Sequence, residues 1–110
     1  MTTTQNLTKT EARQCAEIIM QQLGGSRFAA MTGARDIGFM NDGAVTFKIG
    51  RNPRGITLCQ VSLDRSLDLY TMTFYSGRAL KIRVAAVVEG VFAHQLAEVF
   101  TRHTDLYTSL

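Results

Sequence analysis

Between Thr8 and Leu23 the apolar residues return every three or four positions, at Ala12, Cys15, Ala16, Ile19, Met20 and Leu23. That spacing draws one stripe along an α-helix. Arg13, Gln14, Glu17, Gln21 and Gln22 fill its other side. Thr8-Lys9-Thr10-Glu11 has the form of a capping box, and Gly24-Gly25 supplies a left-handed stop. The helical period is lost beyond Ser26. Arg27 to Met31 fits a short strand or an irregular link, and Gly33 allows a sharp change of direction.

From Ile37 the period falls to two. Ile37 to Met40 leads into Asn41-Asp42-Gly43, a turn of the hairpin-closing kind. Val45, Phe47 and Ile49 then alternate with Thr46 and Lys48, and a loop follows from Gly50 to Gly55. Ile56 to Leu63 reads as a strand, Asp64 to Asp68 as a turn, and Leu69 to Tyr75 as the next strand. In that strand Tyr70, Met72 and Phe74 face one way and Thr71, Thr73 and Tyr75 the other. After Ser76-Gly77-Arg78, a fifth strand is expected from Leu80 to Val88, with Ile82, Val84, Ala86 and Val88 inward. Glu89-Gly90 breaks the alternation. Phe92, Leu96, Val99, Phe100 and His103 then share one face of a second helix.

Short loops between strands make meanders. The expected fold is therefore α+β: an antiparallel sheet of four to five strands with N- and C-terminal helices packed on one face. There is no repeat or linker, so residues 1–110 form one domain, with Met1 to Leu7 polar and frayed.

Composition narrows the class. The chain has 110 residues, 45% apolar and 19% charged, which suits a soluble globular domain. Its longest apolar run, Val84 to Val88, is far short of the ~20 residues of a membrane span. Met1 to Lys9 lacks the form of an export signal. Two cysteines are too few for a disulfide framework, and both read as small buried hydrophobes. These features point to a cytoplasmic protein.

Charge changes the picture more. Between Ala44 and Val88 lie Lys48, Arg51, Arg54, Arg65, Arg78, Lys81 and Arg83, against only Asp64 and Asp68. This segment carries a net +5 and the remainder −2, within an overall +3. Nine of the twelve cations are arginine, which suits bidentate contacts to phosphate or carboxylate. If the alternation holds, Thr46, Lys48, Gln60, Ser62, Thr71, Thr73, Tyr75, Lys81 and Arg83 share the solvent face. The candidate binding residues are Lys48, Arg51, Arg54, Tyr75, Arg78, Lys81 and Arg83. Tyr75 is the one expected exposed aromatic on that face. Nucleic-acid contact would therefore be mainly electrostatic.

Catalytic or metal chemistry has little to stand on. His94 and Glu98 are four apart on the second helix, but two ligands do not complete a site. His103 suits the negative end of the helix dipole. Cys59 with a histidine would need an exposed thiol, and a mid-strand position argues against one. Asp64 and Asp68 fit turn caps. Gly50 to Gly55 lacks the Gly-Lys-Ser/Thr ending of a phosphate loop. A non-enzymatic protein without cofactor or metal is expected.

Leu23-Gly24-Gly25, Phe28, Met31-Thr32-Gly33-Ala34, Val88-Glu89-Gly90-Val91, Leu96, Phe100, Thr104 and Leu106-Tyr107-Thr108-Ser109-Leu110 together resemble a family of small proteins carried by phages and prophages. The chain departs at Asp105, where the resemblance implies glycine. It implies no activity, but it does imply a setting in which small proteins act by occupying a host or phage complex, including defence machinery. The expected function is accessory or inhibitory binding to a nucleic acid or a nucleic-acid-processing complex. The alternative is a protein–protein module, self-associating through a sheet edge or the apolar stretch around Met31, or blocking a host protein.

Overall fold

A computed structural model describes residues 8–40, 43–64 and 66–108. Helix α1 (Lys9–Leu23) forms on the predicted stripe, with Ala12, Ala16, Ile19 and Leu23 buried. The Glu11 amide donates to Thr8 Oγ1 at 3.1 Å, and the Thr8 amide donates to Glu11 Oε1 at 3.0 Å. Two amides that the helix itself leaves without partners are thereby satisfied. Gly24 ends the helix at φ 134°, its N–H directed to the carbonyls of Met20 and Gln21.

Where a strand or link was expected, the chain forms a second helix, α2 (Gly25–Thr32). Phe28 and Thr32, one turn apart, both enter the core. The Phe28 ring lies 5.5 Å from Phe47 and 5.0 Å from Phe100, in edge-to-face contacts. Thr32 Oγ1 donates to the Phe28 carbonyl at 2.7 Å, so its buried hydroxyl is satisfied within the helix. Local period could not show this, because the helix is only two turns long and presents two inward residues.

Five strands follow: β1 (Arg35–Phe39), β2 (Val45–Lys48), β3 (Ile56–Asp64), β4 (Leu69–Ser76) and β5 (Arg83–Val91). Their spatial order is their chain order, and every neighbouring pair is antiparallel. The architecture is thus the expected α+β meander. Asn41-Asp42 of the first hairpin and the N-terminal Met1 to Leu7 lie outside the described residues. Beside the hairpin turn, Met40 N donates to Ala44 O at 2.8 Å.

One face of the sheet supplies Val45, Phe47, Cys59, Val61, Tyr70, Met72, Phe74 and Val91 to the core. Onto it pack Ala16, Ile19 and Leu23 of α1, Phe28 of α2, and Leu96, Val99 and Phe100 of helix α3 (Leu96–Thr104). Phe100 sits at the centre, with Phe28, Phe47 and Phe74 at 5.0, 6.3 and 6.4 Å. Tyr70 is buried, and its hydroxyl donates to Gln22 Oε1 of α1 at 2.8 Å. Burial, aided by the nearby Asp68 charge, raises the pKa of its phenol.

The fifth strand differs from its expected form. Ala79–Lys81 is a 3-10 turn, and the strand begins at Arg83 and continues through Glu89-Gly90 to Val91. Tyr75 lies opposite Val84 while Phe74 lies opposite Ala86, so Ala85 is an inserted residue. This bulge turns Val84 outward, away from the core that it was expected to enter, whereas Ala86 and Val88 do pack against the core. A second register shift falls at Glu89-Gly90, where Gly90 adopts φ 71°. Phe92 is exposed rather than on the buried helix face, because a 3-10 turn (Ala93–Gln95) separates it from α3.

Candidate functional site

Alternate hairpin loops of a meander emerge at the same end of the sheet. Here β1 begins at that end, β2 finishes there, and the β2–β3 and β4–β5 connections cross it. Arg35 opens β1 opposite Lys48, the last residue of β2. Arg51 and Arg54 lie in the β2–β3 loop, Arg78 and Lys81 in the β4–β5 connection, and Arg83 opens β5 opposite Ser76. The cations therefore gather at one end of the sheet instead of spreading over its open face.

The open face itself is mostly neutral. Thr46, Gln60, Thr73 and Val87 form one cross-strand row, and Ser62 and Thr71 begin the next. Lys48, Leu58, Tyr75 and Val84 form the row nearest the basic end. Lys48 and Tyr75 are thus on the expected face. Lys81 and Arg83 are not: Lys81 belongs to the 3-10 turn, and Arg83 pairs with Ser76, which shares the facing of Phe74. For Arg83 the bulge at Ala85 is the cause, since one inserted residue reverses the alternation before it.

At the basic end is a cleft of about 530 Å³, lined by Arg35, Lys48, Arg51 and Arg78 around Ile49, Ile56, Leu58 and Ile82. Among the described residues, no Asp or Glu lines it. Its size lies within the range of small-ligand sites. The walls are held by hydrogen bonds that fix both loops. Asn52 Nδ2 donates to the Gly50 and Ile56 carbonyls at 2.9 and 2.7 Å, while its Oδ1 accepts from the Ile56 amide at 3.1 Å. Arg51 is therefore carried on a closed turn. Across the cleft, Thr57 Oγ1 donates to the Gly77 carbonyl at 2.7 Å, joining β3 to the turn that bears Arg78. Behind the loop, the Gly50 amide donates to Thr32 O at 2.8 Å, and a Cβ at Gly50 would sit 3.1 Å from that oxygen. A larger residue here would push the loop and the end of α2 apart by a few tenths of an ångström.

The cations are not equivalent. Lys48 Nζ lies 3.3 Å from Asp36 Oδ2, an exposed pair that water screens heavily. Arg35 donates from Nη1 to the Gly33 carbonyl at 3.2 Å. Arg54 donates from Nε to Asp105 Oδ2 at 3.0 Å, and so turns toward the end of α3. It is not among the residues lining the cleft. Arg35 and Asn52 were missed by the sequence reading. Arg35 precedes the cationic segment, and only its pairing with Lys48 brings it in. A loop asparagine carries no pattern that announces which carbonyls it will hold.

The residues considered for other chemistry lie elsewhere. Cys59 is fully buried, and burial pushes its thiol far above the ordinary range. The His94 ring stacks on Phe92 at 5.7 Å, whereas Glu98 bonds Arg102 at 2.7 Å. His103 stacks on Phe74 at 5.0 Å, with Nδ1 3.0 Å from the Val99 carbonyl. Asp64 accepts from the Ser66 hydroxyl and amide at 2.7 and 3.0 Å, which holds its carboxyl below the usual range. Among the described residues, no three His, Cys, Asp or Glu side chains converge as metal ligands, and no helix is long and apolar enough to cross a membrane. Comparison with protein-family models, curated proteins and solved structures finds no match to this chain.

Proposed function

We propose that the protein is a non-enzymatic binding protein that engages a nucleic acid, alone or within a nucleoprotein complex, through the basic end of its sheet. The observation that carries this reading is the cleft bounded by Arg35, Lys48, Arg51 and Arg78, with no carboxylate among the described residues that line it. Arginine forks match phosphate oxygens bidentately, and the bonds of Asn52 and Thr57 fix the backbone of the loops that carry Arg51 and Arg78. The apolar floor at Leu58 and Ile82 suits a base or sugar, and Tyr75 lies beside Leu58 on the adjoining face. Lys81 and Arg83 extend the positive field beyond the cleft, while Arg54 contributes less because Asp105 accompanies it. Acting by occupancy, as a phage-type accessory or inhibitory protein would, needs no nucleophile. That agrees with a Cys59 sealed inside the core.

Fluorescence anisotropy with labelled single-stranded and duplex oligonucleotides, titrated over a range of salt, tests the reading. Three to four phosphate contacts predict a log–log salt slope of about −2 to −4. Arg51→Glu with Arg78→Glu should weaken binding by at least about tenfold and flatten the slope, while Arg13→Glu on α1 should change little. Absence of binding at low salt, or equal binding by the loop double variant, overturns the proposal.

A further inference from the structure

We infer, resting on the reading of the basic end as a nucleic-acid site, that it takes a single strand in preference to a duplex and seats one nucleotide in the cleft. From Arg78 to Arg83, cations and apolar residues stand side by side. Arg78, Lys81 and Arg83 are exposed, and so are Leu80 and Ile82 between them, at 102% and 43%. Leu80 follows Ala79, which adopts φ 51°, a left-handed conformation that alanine seldom enters. Strained backbone of this kind gathers at binding and catalytic sites. Ala79 and Ile82 also line the cleft, together with Leu58, which is half-buried between Lys48 and Tyr75 in its cross-strand row. Apolar surface thus runs from the cleft into the β4–β5 connection, with cations along its length.

That mixture selects the form of the ligand. Whatever covers it must present negative charge and an apolar face together. A duplex turns its phosphates outward and keeps its bases stacked inside, so Leu58, Leu80 and Ile82 would meet only phosphate and water. Reading a duplex takes a helix or a β-ribbon that enters a groove. The cations of the cleft instead line a concavity and stand on loops and strand ends. A single strand can splay out a base and lay it on Leu58 and Ile82, while its phosphates reach Arg51 and Arg78. The cleft's volume of about 530 Å³ suits one such unit. A bilayer also combines anionic and apolar layers, but its plane cannot follow the surface down between two loops. Charge alone would give the opposite preference, because duplex DNA carries its phosphates more densely than a single strand. Selection of the single strand therefore reports the apolar part of the site.

Anisotropy on the full chain, with a short labelled strand of mixed sequence and with the duplex it forms with its complement, tests this at one salt concentration. The single strand should bind about tenfold tighter than the duplex. Leu80→Ser with Ile82→Thr should weaken single-strand binding about threefold or more, and leave duplex binding and the salt slope unchanged. Both side chains are exposed, so circular dichroism should show the double variant folded. Equal or tighter binding of the duplex overturns the inference and leaves the nucleic-acid reading standing. A single-strand preference undiminished in the double variant overturns it too. Binding to neither oligonucleotide overturns both, and capture by phosphatidylglycerol vesicles in their place assigns the surface to a membrane.

Discussion

Arg54 and Asp105, 51 residues apart in sequence, are joined by a 3.0 Å bond from the guanidinium Nε to the carboxylate Oδ2. Asp105 is the C-cap of α3 and adopts φ 61°, a left-handed conformation in which glycine is the usual residue. Aspartate is among the few other residues that enter this region readily. Its carboxylate then clasps the β2–β3 loop to the last helix, an interaction glycine cannot make. Aspartate at this left-handed position thus has a structural use.

Substitution here separates the two effects. Asp105→Ala loses the exposed ion pair and keeps a Cβ in the left-handed region, at a cost of about 1 kcal/mol. Asp105→Gly relieves the backbone while losing the same pair, and should fall within about 0.5 kcal/mol of wild type. Urea denaturation distinguishes them. Both variants release Arg54, so both should bind oligonucleotide at least as tightly as the parent protein.

Gly77 controls the turn that carries Arg78. It adopts φ 87°, and a Cβ added there would run into the Lys81 carbonyl. Gly77→Ala should cost about 1–3 kcal/mol by thermal denaturation. At a temperature where the variant remains folded, its oligonucleotide affinity should also fall, because the Arg78 wall of the cleft moves.

Two phenylalanines that the sequence places on one helix face should behave differently. Phe100 is fully buried among Phe28, Phe47 and Phe74, and Phe100→Ala should cost about 3–5 kcal/mol. Phe92 is exposed ahead of α3, and Phe92→Ala should stay within about 0.5 kcal/mol of wild type. Chemical denaturation of the two variants side by side measures the contrast.

A raised thiol pKa and complete burial make Cys59 unreactive in the folded protein. Native labelling with a small alkylating reagent, read by peptide mass, should leave Cys59 unmodified, while labelling in denaturant modifies it. Modification of Cys59 in the native state at the rate of a simple thiol would reopen a nucleophilic role.

Local signals were sufficient for much of the fold. The Thr8–Glu11 capping box, the α1 stripe and the alternation in β2 to β4 depend on residues close in sequence, so their periods survive without knowledge of the partner surfaces. Antiparallel order followed from the same short loops. The cationic excess was equally visible, since charge is additive along a chain.

Tertiary structure decided the rest. α2 forms because Phe28 finds a pocket between Phe47 and Phe100, a destination no two-turn segment encodes by itself. The facing of β5 depends on one inserted residue, Ala85, whose presence is defined only by what lies opposite in β4. That insertion takes Arg83 off the open face and exposes Val84, so the expected basic face becomes a basic end and an apolar edge. Arg35 joins the cleft, and Arg54 turns from it toward Asp105, through contacts with distant segments. By itself the sequence determined which elements form and how much charge they carry, because period and composition are local properties. Which residues meet was left to strand register and long-range packing, where one residue of slip reverses every side chain.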